Sequence, residues 1–171
     1  MPRVKAIDAS VRPMPLEIAQ RYGALPEYRY IFEHIFKRPQ VINEGIPLEE
    51  MVAQMDRFNI DRIMVSGYDA RNSTGLYVSN DWVADLMRAL PGRVIGGLGI
   101  DPRRDSMESL REMDRCRRDL DFRFVRMLPY AAELPPDDRR YYPIYAKCCE
   151  LDMPVLYLQI PRSTSPGGLA G

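Results

Sequence analysis

Histidine is nearly missing from this 171-residue sequence: its one copy, His34, sits within Ile31-Phe32-Glu33-His34-Ile35-Phe36. A His-rich metal centre, a Ser-His-Asp triad and a Cys-His pair each need imidazoles that the chain does not supply, so His34 is expected to be packed or at the surface. Cysteine is scarce too. Cys116, Cys148 and Cys149 are odd in number and two are adjacent, which argues against a disulfide framework or a CxxC zinc site and predicts reduced, mostly buried thiols. Neither charge sign is in excess, with 24 Lys+Arg against 24 Asp+Glu. No one-signed field is present to hold a phosphate backbone, and nucleic acid is excluded as a partner. No apolar run approaches the roughly 18 to 20 residues that cross a bilayer, and Met1-Pro2-Arg3-Val4-Lys5 lacks the apolar core of a signal peptide, so no membrane association and a cytoplasmic location are expected. Phosphate-cradling motifs of the GxGxxG or GKS type are absent; Gly96-Gly97-Leu98-Gly99 falls inside a strand-like run and marks close packing or a bulge.

What the chain does have is alternation. At 46% hydrophobic and 28% charged, with 11 Gly and 15 Pro spread throughout, it reads as one ordinary globular domain. Short continuous apolar runs at 4–9, 62–67, 93–100, 122–128 and 154–160 alternate with helical patterns, as parallel strands covered on both faces do. Leu48, Met51, Val52, Met55 and Phe58 share one stripe behind Pro47. Residues 81–90 repeat this with Ser79 or Asn80 as cap and Pro91-Gly92 as stop, and Met107, Leu110, Met113 and Leu120 mark a third helix with a basic solvated face. A fourth runs from about 140 to 151. The domain is taken as 1–160, with 13–46 as a long loop insertion after the first strand and 161–171 as a flexible tail.

Sites in such folds assemble at the C-terminal ends of strands. The candidates there are Asp8, Ser10 and Arg12 after the first run, Ser66 and Asp69 after the second, Asp101 after the third, Arg126 and Tyr130 after the fourth, and Gln159 and Arg162 after the fifth. Asp8 and Asp101 could carry a proton, or only cap their turns; Ser10, Arg12, Arg126, Tyr130, Gln159 and Arg162 are the candidate ligand-binding set.

Several phrases in one order resemble a known family. They are Ile7-Asp8-Ala9-Ser10-Val11-Arg12-Pro13, Asn80-Asp81-Trp82-Val83-Ala84, Arg93-Val94-Ile95-Gly96 with Ile100-Asp101-Pro102, Phe124-Val125-Arg126-Met127-Leu128-Pro129-Tyr130, the stretch from Asp137 to Cys148, and Met153-Pro154-Val155-Leu156. Together they resemble the amidohydrolase-related proteins, the group that includes aminocarboxymuconate-semialdehyde decarboxylase and γ-resorcylate decarboxylase. The resemblance implies a metal-dependent (β/α)₈ TIM barrel that decarboxylates or hydrolyses small carboxylated or ring substrates.

It also implies histidines where this sequence has Ser10 and Arg12, the positions of the family's first two metal ligands, and again where Arg162 follows Gln159-Ile160-Pro161. A guanidinium places fixed positive charge where the cation would sit, so no metal and no other cofactor are expected. Later strands with their ligands have no counterpart in the sequence. A full barrel takes about 250 residues, so the expected fold class is α/β, a partial (β/α) barrel of about five parallel strands with outer helices. The expected function is that of a degenerate, metal-free relative, a pseudoenzyme that binds a small carboxylated or aromatic ligand, three arginines of the rim holding a carboxylate bidentately, or that associates with another chain. Homo-oligomerisation or a partner chain would cover the open sheet edges. The alternative is a hydrolase or carbon–carbon lyase acting without metal, or as one subunit of a split barrel.

Overall fold

The computed structural model describes residues 5–158. Seven strands are present among them: β1 (Ala6–Asp8), β2 (Ile60–Ser66), β3 (Tyr68–Ala70), β4 (Leu76–Val78), β5 (Val94–Gly99), β6 (Phe124–Met127) and β7 (Val155–Tyr157). Five of them form one sheet in the order β1-β2-β5-β6-β7, and β3 and β4 form a separate antiparallel hairpin. The sheet pairings are parallel, with Ile7 opposite Arg62, Leu98 opposite Val125, and Arg126 opposite both Gly99 and Leu156. This is the strand arrangement of a partial (β/α) barrel, as the five apolar runs predict. On β6 residues of both parities are covered, every one being buried, whereas on β2 the buried Ile63 and Val65 lie on one face.

Helices supply the crossovers. After β1 come α1 (Leu16–Gly23), α2 (Pro26–Tyr30) and α3 (Pro39–Glu44), then α4 (Leu48–Arg57), α5 (Asn80–Ala89), α6 (Ser106–Arg118), the single turn α7 (Pro129–Ala132) and α8 (Tyr142–Leu151). The Ser79 hydroxyl accepts from the Trp82 N–H at 3.1 Å to cap α5, and the Asp105 carboxylate accepts from the Glu108 N–H at 2.8 Å to cap α6. Helix α6 also carries Glu108 in its first turn and Arg115, Arg117 and Arg118 in its last, the order that its dipole favours.

The described chain divides into two compact units, one of residues 5–65 and 85–95 and the other of 66–84 and 96–158. In the first, the stretch 13–46 is helical where a loop is expected. Helices α1, α2 and α3, with a π-helical turn at Ile31–Ile35, fold back so that the Ile46 N–H donates to the Met14 carbonyl at 2.7 Å. Ile18, Ala19, Tyr22, Val41 and Ile42 are buried there, and Tyr22 meets Tyr28 edge to face with ring centroids 5.0 Å apart. Strand β1 is exposed along its whole length, Ile7 at 48%.

In the second unit Leu98, Met113, Phe122, Phe124, Val125 and Met127 are essentially inaccessible. Gly97 and Gly99 make this packing possible. A Cβ on Gly97 would occupy the space of the Phe124 ring, and one on Gly99 would meet the Gly67 carbonyl group. Of the two readings of the glycine-rich run, close packing is the observed one.

Candidate functional site

In the first unit the chain leaves β1 through Asp8, whose Oδ1 accepts from the Ser10 N–H at 3.1 Å. Asp8, Ser10 and Arg12 are all exposed, and the Arg12 guanidinium lies over the Tyr22 ring, 5.1 Å from its centroid. A hydroxyl and a stacked guanidinium are not a metal donor set, and among the described residues no group of three or more His, Cys, Asp or Glu is arranged to hold a metal ion. The residues present do not fit the metal that the resemblance implies.

In the second unit Asp101 and Arg126, at the strand ends, are buried and Tyr130 is half-buried. Asp101, two residues past β5, is 3% exposed; its Oδ1 accepts from the Arg103 N–H at 2.8 Å and its Oδ2 from Asn72 Nδ2 at 3.0 Å. Arg126, on the β6 position that faces Gly99 in the register, is 6% exposed. Tyr130 on α7 places its hydroxyl 3.3 Å from that of Tyr68 at the start of β3. A permanent cation, a carboxylate and two phenols therefore belong to the same unit, at the end of the strands where ligands bind in α/β folds. Of the predicted set, the structure brings Asp101, Arg126 and Tyr130 into one unit and assigns Asp8, Ser10 and Arg12 to the other. Gln159 and Arg162 lie outside the described residues.

Asp69, on β3, is a structural carboxylate. Arg71 donates to both of its oxygens, at 2.9 and 2.7 Å, and Arg104 reaches Oδ2 at 3.2 Å. Burial would raise its pKa, but the hydrogen bonds and charge of Arg71, helped by Arg104, outweigh that and hold the carboxyl below its usual range. Arg71 also lies 3.9 Å from the centroid of the Tyr77 ring on β4. These groups border an open cleft of about 530 Å³ between the hairpin, the first turn of α5 and the length of α6 from Glu108 to Arg115. The cleft is lined by acids and arginines that pair with one another: Arg104 with Glu108, and Arg115 with both Glu112 and Asp81. Asn80 spans its floor, its Oδ1 accepting from the Gly99 N–H at 3.0 Å and its Nδ2 donating to Glu112 at 2.9 Å.

Sequence reasoning misses Tyr68 and Asn72, both on the β3–β4 hairpin. The polar turn Asn72-Ser73-Thr74-Gly75 before Leu76-Tyr77-Val78 is a partial signal, but the triplet on its other side, Tyr68-Asp69-Ala70, holds two residues uncommon in strands.

Comparisons agree with this fold. The fold matches an uncharacterized TIM-barrel protein from Bordetella bronchiseptica at 28% identity and a TM-score of 0.73, over 95% of this chain and 58% of that one. It also matches 5-carboxyvanillate decarboxylase from Novosphingobium aromaticivorans DSM 12444, solved with manganese and 4-hydroxy-3-methoxy-5-nitrobenzoic acid, at 23% identity and a TM-score of 0.66, over 88% of this chain and 49% of that one. A third match is 4-oxalomesaconate hydratase from Rhodopseudomonas palustris, at 21% identity and a TM-score of 0.54, over 88% and 50% of the two chains. The chain thus spans about half the length of these proteins. A comparison with proteins of curated function returned no match. No helix among the described residues is long and apolar enough to cross a membrane. Because the model of the amidohydrolase family described as Amidohydrolase matches residues 48–167, well over half of the sequence, the chain belongs to that family.

Proposed function

We propose that this chain is a metal-independent member of its family that binds a small carboxylated ligand, with Arg126 as the group that holds the carboxylate and Asp101 and Tyr130 beside it. The observation that carries the reading is the burial of Arg126 at the C-terminal end of β6. A guanidinium remains charged at any pH a protein meets, and a desolvated one matches a carboxylate with two parallel N–H···O bonds. The ligand class draws support from the substituted benzoic acid bound by the Novosphingobium decarboxylase. Ser10 and Arg12 at the metal positions are why binding, rather than metal-assisted hydrolysis, is the activity proposed, in a protein of the cytoplasm.

The test is a thermal-shift series with benzoic and dicarboxylic acids against their amides. A ligand that binds only the folded state raises its melting temperature as concentration passes the dissociation constant. Acids should raise it and amides should not. Arg126→Met, which keeps most of the volume, should remove the response, while Arg118→Ala on the exposed face of α6 should leave it intact. Equal responses to acid and amide would refute the reading.

The decarboxylase relatives favour a second reading, a carbon–carbon lyase in which Arg126 orients the substrate carboxylate and Asp101 delivers the proton. Release of carbon dioxide from those same acids by metal-stripped protein, abolished by Asp101→Asn, would decide for it.

A further inference from the structure

The β3–β4 hairpin follows β2 and precedes α5 in the chain, and every other residue of its strands, Tyr68, Ala70, Leu76 and Val78, is buried. Its base is therefore fixed. Its tip, residues 71–75, is mostly exposed but wound tightly: the N–H groups of Ser73, Thr74 and Gly75 all donate to the Ala70 carbonyl, at 3.2, 3.0 and 3.0 Å. Arg71, bonded to Asp69 and stacked on Tyr77, stiffens the tip from one side. From this rigid turn one side chain reaches out to a strand end, Asn72 donating to Asp101 Oδ2.

That bond completes the setting of the carboxylate. The Arg103 N–H holds Oδ1 and the Asn72 amide holds Oδ2, so both oxygens of a nearly inaccessible group are fixed by donors that keep their protons. With only one of the two donors, the carboxylate could turn about its Cβ–Cγ bond.

We infer that Asn72 is a positioning residue, through which the hairpin tip orients the Asp101 carboxylate at the end of β5 for the ligand of the rim. The inference rests on the binding reading given above for its functional half, and on the geometry alone for its structural half.

The charged and titratable groups that meet Asp101 or its loop are Arg103 and Arg104 of that loop, Asp69 of the hairpin through Arg104, and Tyr141 before α8, while Arg126 stands opposite Gly99, two residues before Asp101. Asn72 donates to it through its side-chain amide, so a carboxylate at 72 is a sharp perturbation. Asn72→Asp would put two carboxylates about 3 Å apart, so the pair gives up its last proton at higher pH in the folded state than in the unfolded chain. The stability of that variant is then lost as pH rises from the ordinary carboxylate range through the raised value. Its melting temperature should match that of the native chain near pH 4.5 and fall about 5 °C below it by pH 8. The exchange Asn72→Asp with Asp101→Asn rebuilds the bond with donor and acceptor reversed and should restore a flat pH profile. Asn72→Ala should lower the melting temperature equally at both pH values, and should shrink the further rise produced by benzoic acids, which a merely structural contact would leave unchanged.

A flat profile for Asn72→Asp, or no recovery in the exchanged pair, overturns the positioning contact. An undiminished acid response in Asn72→Ala overturns its role toward the ligand. If the native chain shows no acid response at all, the binding reading fails, and the pH profiles still decide whether the hairpin holds Asp101.

Discussion

Tyr141 gives the clearest quantitative test of how the second unit is packed. It lies in the short turn Arg139–Tyr141 that leads into α8, is fully inaccessible, and stacks on Tyr145 with centroids 5.8 Å apart. Its hydroxyl meets no hydrogen-bond partner among the described residues. Burying a hydroxyl without a partner costs about 1–3 kcal/mol in proteins, and Phe keeps the ring while deleting the oxygen. Tyr141→Phe is therefore expected to stabilise the chain by about 1–3 kcal/mol, raising the melting temperature by roughly 2–4 °C for each kcal/mol. Urea titration followed by tyrosine-independent circular dichroism measures it directly. The alkaline limb offers a second reading of the same residue. Burial, with smaller contributions from Tyr157, Asp101 and Asp138, pushes the Tyr141 phenol up to about 12. The unfolded chain then loses that proton first, near pH 10, so the stability held below pH 10 declines as pH rises towards 12, and Tyr141→Phe should make the decline shallower. A loss of more than about 1 kcal/mol in Tyr141→Phe would refute the reasoning, because it would mean that the hydroxyl is paired in the folded protein.

Asn80→Ala should destabilise by about 1–3 kcal/mol in urea, since it strips the partner from the Gly99 N–H and one donor from Glu112; no change would show that the bridge between β5 and α6 is dispensable. Asp69→Asn tests the carboxyl held low by Arg71: the stability that Asp69 contributes is present above the ordinary carboxylate range near pH 4 and lost as pH falls below it, so the variant should be weaker at pH 7 and less acid-sensitive below pH 4. Light scattering at micromolar concentration should show a dimer or larger assembly, because β1 is an edge strand exposed at all three residues; a monodisperse monomer with rapid amide exchange at β1 would count against it.

The five strands of the sheet and the four longer helices are legible in the sequence because their patterns outrun their ambiguity: continuous apolar runs for β2, β5 and β6, and 3.6-residue stripes for α4, α5 and α6. The helices within 13–46 are not, because their prolines read as breaks. In the structure Pro26 and Pro39 stand in the first turns of α2 and α3, where a missing N–H costs nothing, and Pro15 immediately precedes α1. The hairpin escapes for another reason, its strands being three residues each and too short for a period to show. Position after a strand identifies Asp101, Arg126 and Tyr130 as rim candidates. It cannot reveal Asn72, whose relevance comes from a turn that carries it 29 residues along the chain to Asp101.

The close approach at Gly99 ties two distant choices in the sequence together. With no Cβ there, the Gly67 peptide can lie directly against β5, and the next residue, Tyr68, begins the hairpin from that height. A methyl group at 99 would have to lift the peptide, and the lift would be inherited by everything downstream on the same rigid ribbon, including the Tyr68 hydroxyl and the Asn72 amide. Residue 99 therefore acts as a shim beneath the hairpin. Changes there should alter the reach of side chains that never touch it, and a second substitution that restores the hairpin's height should rescue the first.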